Sequence, residues 1–442
     1  MADALLVDLL DWLRIPSIST GGGKLEDLRR AAEWVLERVE GAGGVARLEG
    51  AGGDGNPIAY GELAAADRSA PTVIIYGHYD VQSIGDADAW RVPPFEPEVR
   101  DGRVWARGAS DDKGNFLPLL HAALGLARAG ELPVNVRVVV EGEEEAGGAT
   151  VAAWLREDQA GADAAIVFDA AMAAADGRPI PAITAGLRGM VMADLTVRTG
   201  RRDLHSGLYG GSVLNAVHAL HAMLGAVLPG PDGVLRDELR AGIAAPAPAE
   251  LESWARLQPG DQVLAEVGGR PVAPGAGARY YERNGADASL DVNRLVAGEP
   301  RTIVPSVARA AVSVRLAPGQ RSADIREALE RLLREAAPHG AELELEAFTA
   351  EPALFDVDSA ALRLAAEGLE RATGLKPAFV RSGGSIPIVG DLAAKGIPTI
   401  VSGFALPDDD IHAPNESYRV ESLRMGEAAG RELLRSLGRL KG

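Results

Sequence analysis

Four short runs of apolar and β-branched residues limit what this chain can fold into, because each breaks off into histidine or carboxylates. Residues 72–76, Thr-Val-Ile-Ile-Tyr, lead through a glycine to His78-Tyr79-Asp80. The run 134–140 ends in Glu141-Gly-Glu143-Glu144-Glu145, 164–168 ends at Asp169, and 398–401 leads to Asp-Asp-Asp-Ile-His412. Short apolar runs bounded in this way read as buried strands. Helical patterns fall between them, at about 26–42, 115–129 and 148–157. Strands spaced by helices predict an α/β fold with a mixed, largely parallel sheet.

The pattern changes near Leu187. Residues 189–199 alternate like a half-exposed strand, a helix lies within 213–228, and an irregular Pro/Gly-rich stretch fills 229 to about 280. Strand, helix and strand patterns then follow up to about 348. This resembles a small α+β unit with one open sheet face. The expected organisation is a discontinuous α/β domain, 1–186 with 349–442, interrupted by a smaller α+β domain at 187–348. A length of 442 residues fits about two or three domains.

Composition narrows the function. A net charge of −18 argues against nucleic acid and anionic membrane surfaces, which require basic patches. No cysteine is present, so disulfides and thiolate metal sites are excluded. Any metal must be held by His, Asp and Glu, which points to a hard or borderline divalent ion. The N-terminal stretch reads as an amphipathic helix ending before Pro16. It has neither the basic start nor the cleavage site of a signal peptide, so a cytoplasmic location is expected.

In open α/β sheets, sites collect at the carboxyl ends of the strands. All four runs therefore deliver His and carboxylates to one rim, and Asp111-Asp112 joins them at the start of the next helix. Like charges that close cannot all stay ionised without a cation. His78 and Asp80 share one side of an extended segment, so Asp80 is placed to fix the imidazole from behind. Of the glutamates, Glu143 is read as solvated and Glu141 as structural. His121 is read as packing, His218 and His221 as helix surface or interface, and Met190 with the other methionines as core.

The motifs "GHYDVQ", "GRGASDDKGNF", "EGEEEAGG", "GLRGM", "DLHSGLYGGSVLNA", "RSGGSIPI" and "IHAPNES" occur in this order. Together they resemble the dinuclear-metal peptidase family of cytosolic non-specific dipeptidase, carnosinase, aminoacylase and succinyl-diaminopimelate desuccinylase. The likeness to the dipeptidase branch is strongest, through "LPVNV", "DDKG" and "DLHSGLYGG". The resemblance implies two divalent ions, zinc first, with manganese or cobalt as alternatives. His78 and Asp169 would hold one ion, Glu145 and His412 the other, and Asp111 would bridge both. Glu144 would be the general base acting on a bridging hydroxide, and Asp80 the partner of His78.

By the same resemblance, the Asp111–Asp112 peptide is cis and His205 stabilises the oxyanion, reaching the other subunit's site in dimeric relatives. Arg315 would clamp a substrate carboxylate with help from Gly384 and Ser385. The inserted domain would act as lid and homodimer interface. The substrate is expected to be a dipeptide or short peptide with a free C-terminal carboxylate. An N-acyl-amino-acid amidohydrolase using the same site is the alternative. Ala146 and Gly148 depart from the family, which places a hydroxyl residue and Gly-Ser after the paired glutamates.

Overall fold

A computed structural model describes residues 3–50, 55–384 and 386–440. The four apolar runs lie side by side in its centre. Strands Asn135–Glu141, Thr72–His78, Ala164–Phe168 and Thr399–Ser402 are neighbours in that order, and each adjacent pair is parallel. Burial on both faces explains why their sequences run continuously apolar instead of alternating. Register pairs His78 with Glu141, so the polar ends of two strands align on one rim.

Shorter strands widen both edges. Ile58–Leu63 and Val45–Glu49 add antiparallel on one side, and Ala182–Leu187 adds antiparallel on the other. Ala182–Leu187 also pairs with Ala353–Leu354 and with the parallel strand Ala378–Ser382, which brings the sheet to nine strands. Helix Lys113–Ala129 crosses the central strand so closely that a Cβ on Gly77 would lie 2.4 Å from the Phe116 ring. That approach carries the Asp111-Asp112 segment, at the helix start, up to His78. Helix Val420–Leu437 covers the same face.

The second unit has its own antiparallel sheet, in the order Ser289–Ala297, Val307–Leu316, Gly189–Arg198, Glu342–Ala350. Helices Ala216–Gly225 and Ser322–Glu335 cover one face of it. Val191, Ala193, Leu195 and Val197 point into that core, as period-two alternation requires. The intervening Met192 is 41% exposed and Met190 is half-buried, so these two methionines are not core residues as their sequence suggests.

The irregular stretch after Leu228 contains short helices, Asp237–Arg240, Pro248–Trp254 and Gly260–Glu266. It crosses back to the large sheet instead of staying on the small one. Trp254 Nε1 donates to the Phe379 carbonyl of that sheet at 3.1 Å, and Gln258 N donates at 2.9 Å to the Ala174 carbonyl in the short hairpin of Ala173–Ala175 with Arg178–Ile180. Arg381 and Glu250, both buried, form an ion pair at 2.6 Å. This strap ties the two units together at a second place, away from the chain crossings near Leu187–Gly189 and Ala350–Ala353. Among the described residues, no helix is long and apolar enough to cross a membrane.

His121, read as packing, bonds Glu427 on the neighbouring helix at 3.1 Å, and Arg431 donates to the same carboxylate at 2.8 Å. These donors hold the Glu427 carboxyl down at about 2, the His121 bond being the larger cause. A depressed carboxyl contributes stability above its unfolded pKa and loses it as pH falls through the folded value. Denaturant titrations from pH 6 to pH 2 are expected to show Glu427→Gln less stable than wild type by roughly 1 kcal/mol at the upper end, since the group is partly solvated. The two proteins should converge toward pH 2.

Candidate metal centre

The rim gathers His78, Asp111, Glu144, Glu145, Asp169 and His412. His78 ends its strand fully buried. Its Nε2 lies 3.1 Å from Asp111 Oδ1, and its Nδ1 faces the Asp80 backbone carbonyl at 3.1 Å and the Asp80 carboxylate at 3.4 Å. Asp80 is itself fixed, accepting from Ser19 Oγ at 2.6 Å and from the Glu145 amide at 3.2 Å. That last bond couples the His78 segment to the glutamate turn.

Asp111 is the shared group. Its Oδ2 lies 2.9 Å from His412 Nε2, which is also 3.2 Å from Glu145 Oε2. Gln82 donates to that same Glu145 oxygen at 2.8 Å. Two sets of donor atoms result, His78/Asp111/Asp169 and Asp111/Glu145/His412, each lying within 4.8 Å of one another. His412 reaches the site from a loop and sits at φ 62°, a strain of about 1–3 kcal/mol outside glycine. Asn415 braces that loop, donating to the Ala89 carbonyl at 2.9 Å and accepting from the Arg91 amide at 2.8 Å.

The electrostatics ask for cations. Burial raises the Asp169 carboxyl well above its usual range, and the Asp111 charge adds to this. Among the described residues no donor bonds Asp169. Burial raises Asp111 as well, but the bonds from His412 and His78 outweigh it and hold that carboxyl low. His412 is pushed up to about 10, chiefly by Asp111 and then by Glu145. Protons on the two imidazoles and divalent ions thus compete for the same donor atoms. The donor set, imidazole nitrogen plus carboxylate oxygen with one carboxylate shared, suits a pair of borderline ions.

Several further residues position this site through partners that no local pattern marks. Glu416 is fully buried; it accepts from Arg107 Nη1 at 2.8 Å and from the amides of Gly108, Ser110 and Asp111 at 2.8–3.0 Å. It therefore sets the loop that presents Asp111. The Asp111–Asp112 peptide is cis, and Asp112 accepts from the His78 amide at 3.1 Å. Asn115 accepts from the Phe404 amide and donates to the Ala170 carbonyl, which fixes the strand end carrying Asp169. Glu143, expected in solvent, is half-buried instead and accepts from the amides of Asn56 and Thr150 at 2.6 and 3.0 Å. It caps a helix start and leaves Glu144 and Glu145 to the rim. Glu141 is buried, bonded to the Tyr76 hydroxyl and pushed up to about 8 by burial.

A cavity of about 770 Å³ opens beside the cluster. Asp111, Glu144, Asp169 and His412 form one end, and Arg188, Arg381 and Gly384 lie elsewhere on its wall. Arg381 is spent on Glu250, whereas Arg188 meets no carboxylate among the described residues. Arg188 donates to Ser289 Oγ at 3.3 Å, and its buried Nε has no partner. Burial lowers its pKa to about 10, with Arg315 nearby as the next cause. Arg188 sits within the "GLRGM" motif, where the chain passes between the two units.

Arg315 is half-buried on its strand and does not line this cavity. His205 is exposed on a two-residue strand of the smaller unit, its Nδ1 accepting from the Gly207 amide at 3.0 Å, and it too is away from the cavity wall. His218 and His221 are exposed on their helix. Ser385 lies outside the described residues.

The model of peptidase family M20/M25/M40 matches residues 74–436. A cysteinylglycine-S-conjugate dipeptidase of Corynebacterium striatum is 28% identical over 420 residues, covering 90% of this chain and 88% of that one. The structure of an M20 family metallo-carboxypeptidase from Sulfolobus solfataricus superposes with a TM-score of 0.86 at 26% identity, covering 99% and 100% of the two chains. Human carnosine dipeptidase 1 shares the fold, with a TM-score of 0.78 at 21% identity over 99% and 96%.

Removing the Glu416 carboxylate strands a buried guanidinium and three amides. Glu416→Ala is expected to lose about 3–5 kcal/mol in denaturant unfolding. A loss below about 1 kcal/mol would show that the loop does not depend on it.

Proposed function

This chain belongs to peptidase family M20/M25/M40, and we propose that it is a two-metal dipeptidase acting on unblocked dipeptides that carry a free C-terminal carboxylate. The observation that carries this reading is the pair of three-donor sets sharing Asp111, opening into a cavity that also holds an uncompensated Arg188. Two divalent ions, one on His78, Asp111 and Asp169 and one on Asp111, Glu145 and His412, would polarise the scissile carbonyl and acidify a water. Zinc is the first candidate, and manganese or cobalt suits the same donors.

The protein's own groups do the rest. Glu144 faces the cavity, and burial raises its carboxyl to about 7, while the neighbouring His78 pulls the other way. It takes a proton from water as the oxygen attacks the carbonyl carbon. It returns that proton to the amide nitrogen as the C–N bond breaks. Asp80, held by Ser19, keeps His78 Nε2 turned toward the rim. Arg188 offers its guanidinium to the substrate carboxylate, with Arg315 adding positive charge behind it and the Gly384 backbone beside it.

Residues 187–348 form the lid in this reading, and 1–186 with 349–442 the catalytic unit. His205 serves as oxyanion donor in a second copy's cavity, which accounts for its exposure on its own chain. The apolar residues around it support a homodimer: Leu208 is 75% exposed, and Val213, ahead of the adjoining helix, and Val217, within it, are open as well.

The test compares chelator-stripped protein before and after adding zinc or manganese, on free L-dipeptides and on N-acetyl amino acids. Free dipeptides are expected to be cleaved after metal addition. Glu144→Gln should lower kcat by roughly 10²–10⁴-fold without releasing metal. Turnover confined to acylated amino acids would reassign the chain as a deacylase.

A further inference from the structure

A second cavity, of about 360 Å³, adjoins the first, and Arg188, Tyr280 and Asn284 line both. The strap builds most of it. Leu235, Ala276 and Leu290 are buried in its wall, and Leu264 and Val272 complete an aliphatic side. Val272 is 60% exposed although apolar. It sits against Gly233, where an added Cβ would come 2.7 Å from a Val272 methyl.

Two of the charged groups lining this cavity are already committed elsewhere. Asp287 takes both arms of Arg240 at 2.9 and 3.1 Å, and Arg283 donates to the carbonyls of Asp232 and Gly233. Arg270 and Asp291, which also line it, are exposed to solvent, and open aliphatic surface beside satisfied or solvated polar groups favours an apolar guest. The shared wall decides which guest. With the substrate carboxylate on Arg188, the side chain on the same α-carbon stands next to Tyr280 and Asn284, at the partition between the cavities.

We infer that this second cavity receives the side chain of the substrate's C-terminal residue and selects large apolar side chains there. The inference rests on the dipeptidase reading and on Arg188 as the carboxylate anchor. Burying a Leu or Phe side chain corresponds to roughly 10- to 100-fold in kcat/KM over glycine.

The experiment measures kcat/KM of the metal-loaded full chain on alanyl-glycine, alanyl-leucine, alanyl-phenylalanine and alanyl-glutamate. It is repeated for Val272→Trp, which narrows the cavity, and Leu264→Ser, which makes its side polar; thermal melts verify that each variant folds. Wild type is expected to prefer Leu and Phe over Gly by roughly 10- to 100-fold, and each variant should cut that ratio by about fivefold or more. Unchanged ratios in both folded variants, or a wild-type preference for Gly, would overturn the pocket while leaving the dipeptidase reading intact. A preference for Glu would overturn it too, by assigning the cavity to an anionic side chain near Arg270. Failure of metal-loaded wild type to cleave any of the four would overturn the dipeptidase reading, and the pocket with it.

Discussion

The shared carboxylate of Asp111 is the point on which this structure turns. It lies between two imidazoles, 3.1 Å from His78 and 2.9 Å from His412, and belongs to both donor sets. Placing it there brings four carboxylates to one rim, an arrangement that repels itself unless cations are present. The protein secures the position from below. Glu416 gathers the amides of the 108–111 loop, Gly77 lets helix Lys113–Ala129 approach the central strand, and Asp80 joins the His78 segment to the Glu145 amide. Each is a buried polar or steric constraint on a segment that carries a site residue, so the rigidity of the core passes directly to the site.

The smaller unit affects this centre through the strap more than through its own sheet. Trp254 and Glu250 tie residues after Leu228 to the large sheet, and Tyr280, Tyr281 and Asn284 then wall the cavity. Movement of the small sheet relative to the large one must therefore strain or carry this segment.

Much of this was legible in the chain itself, for physical reasons. A parallel strand buried on both faces must be continuously apolar, so its polar terminus stands out, and that is how His78, Glu145 and Asp169 announce themselves. Asp111 and His412 were visible through motifs on neighbouring segments. Glu416 and Arg188 also stand inside motifs, yet nothing local marks their roles; their partners lie far away in the chain or across the cavity. Glu143 misled because a charge run looks solvated until the amides of Asn56 and Thr150 are seen to meet it. The strap looked irregular because its helices are short and its partners belong to another sheet. Ala182–Leu187 lacks the His or carboxylate ending that marks the central strands, and Val45–Glu49 lacks their continuous apolar run.

The most direct test of the central claim is metal stoichiometry. Chelator-stripped protein, reloaded with zinc and freed of excess, is assayed for ions per chain alongside Asp111→Asn. Two ions per wild-type chain, with loss of both or a steep fall in affinity for both in the variant, is the predicted result. One ion or none in wild type, or a variant that still holds two with unchanged affinity, would contradict the shared-carboxylate centre.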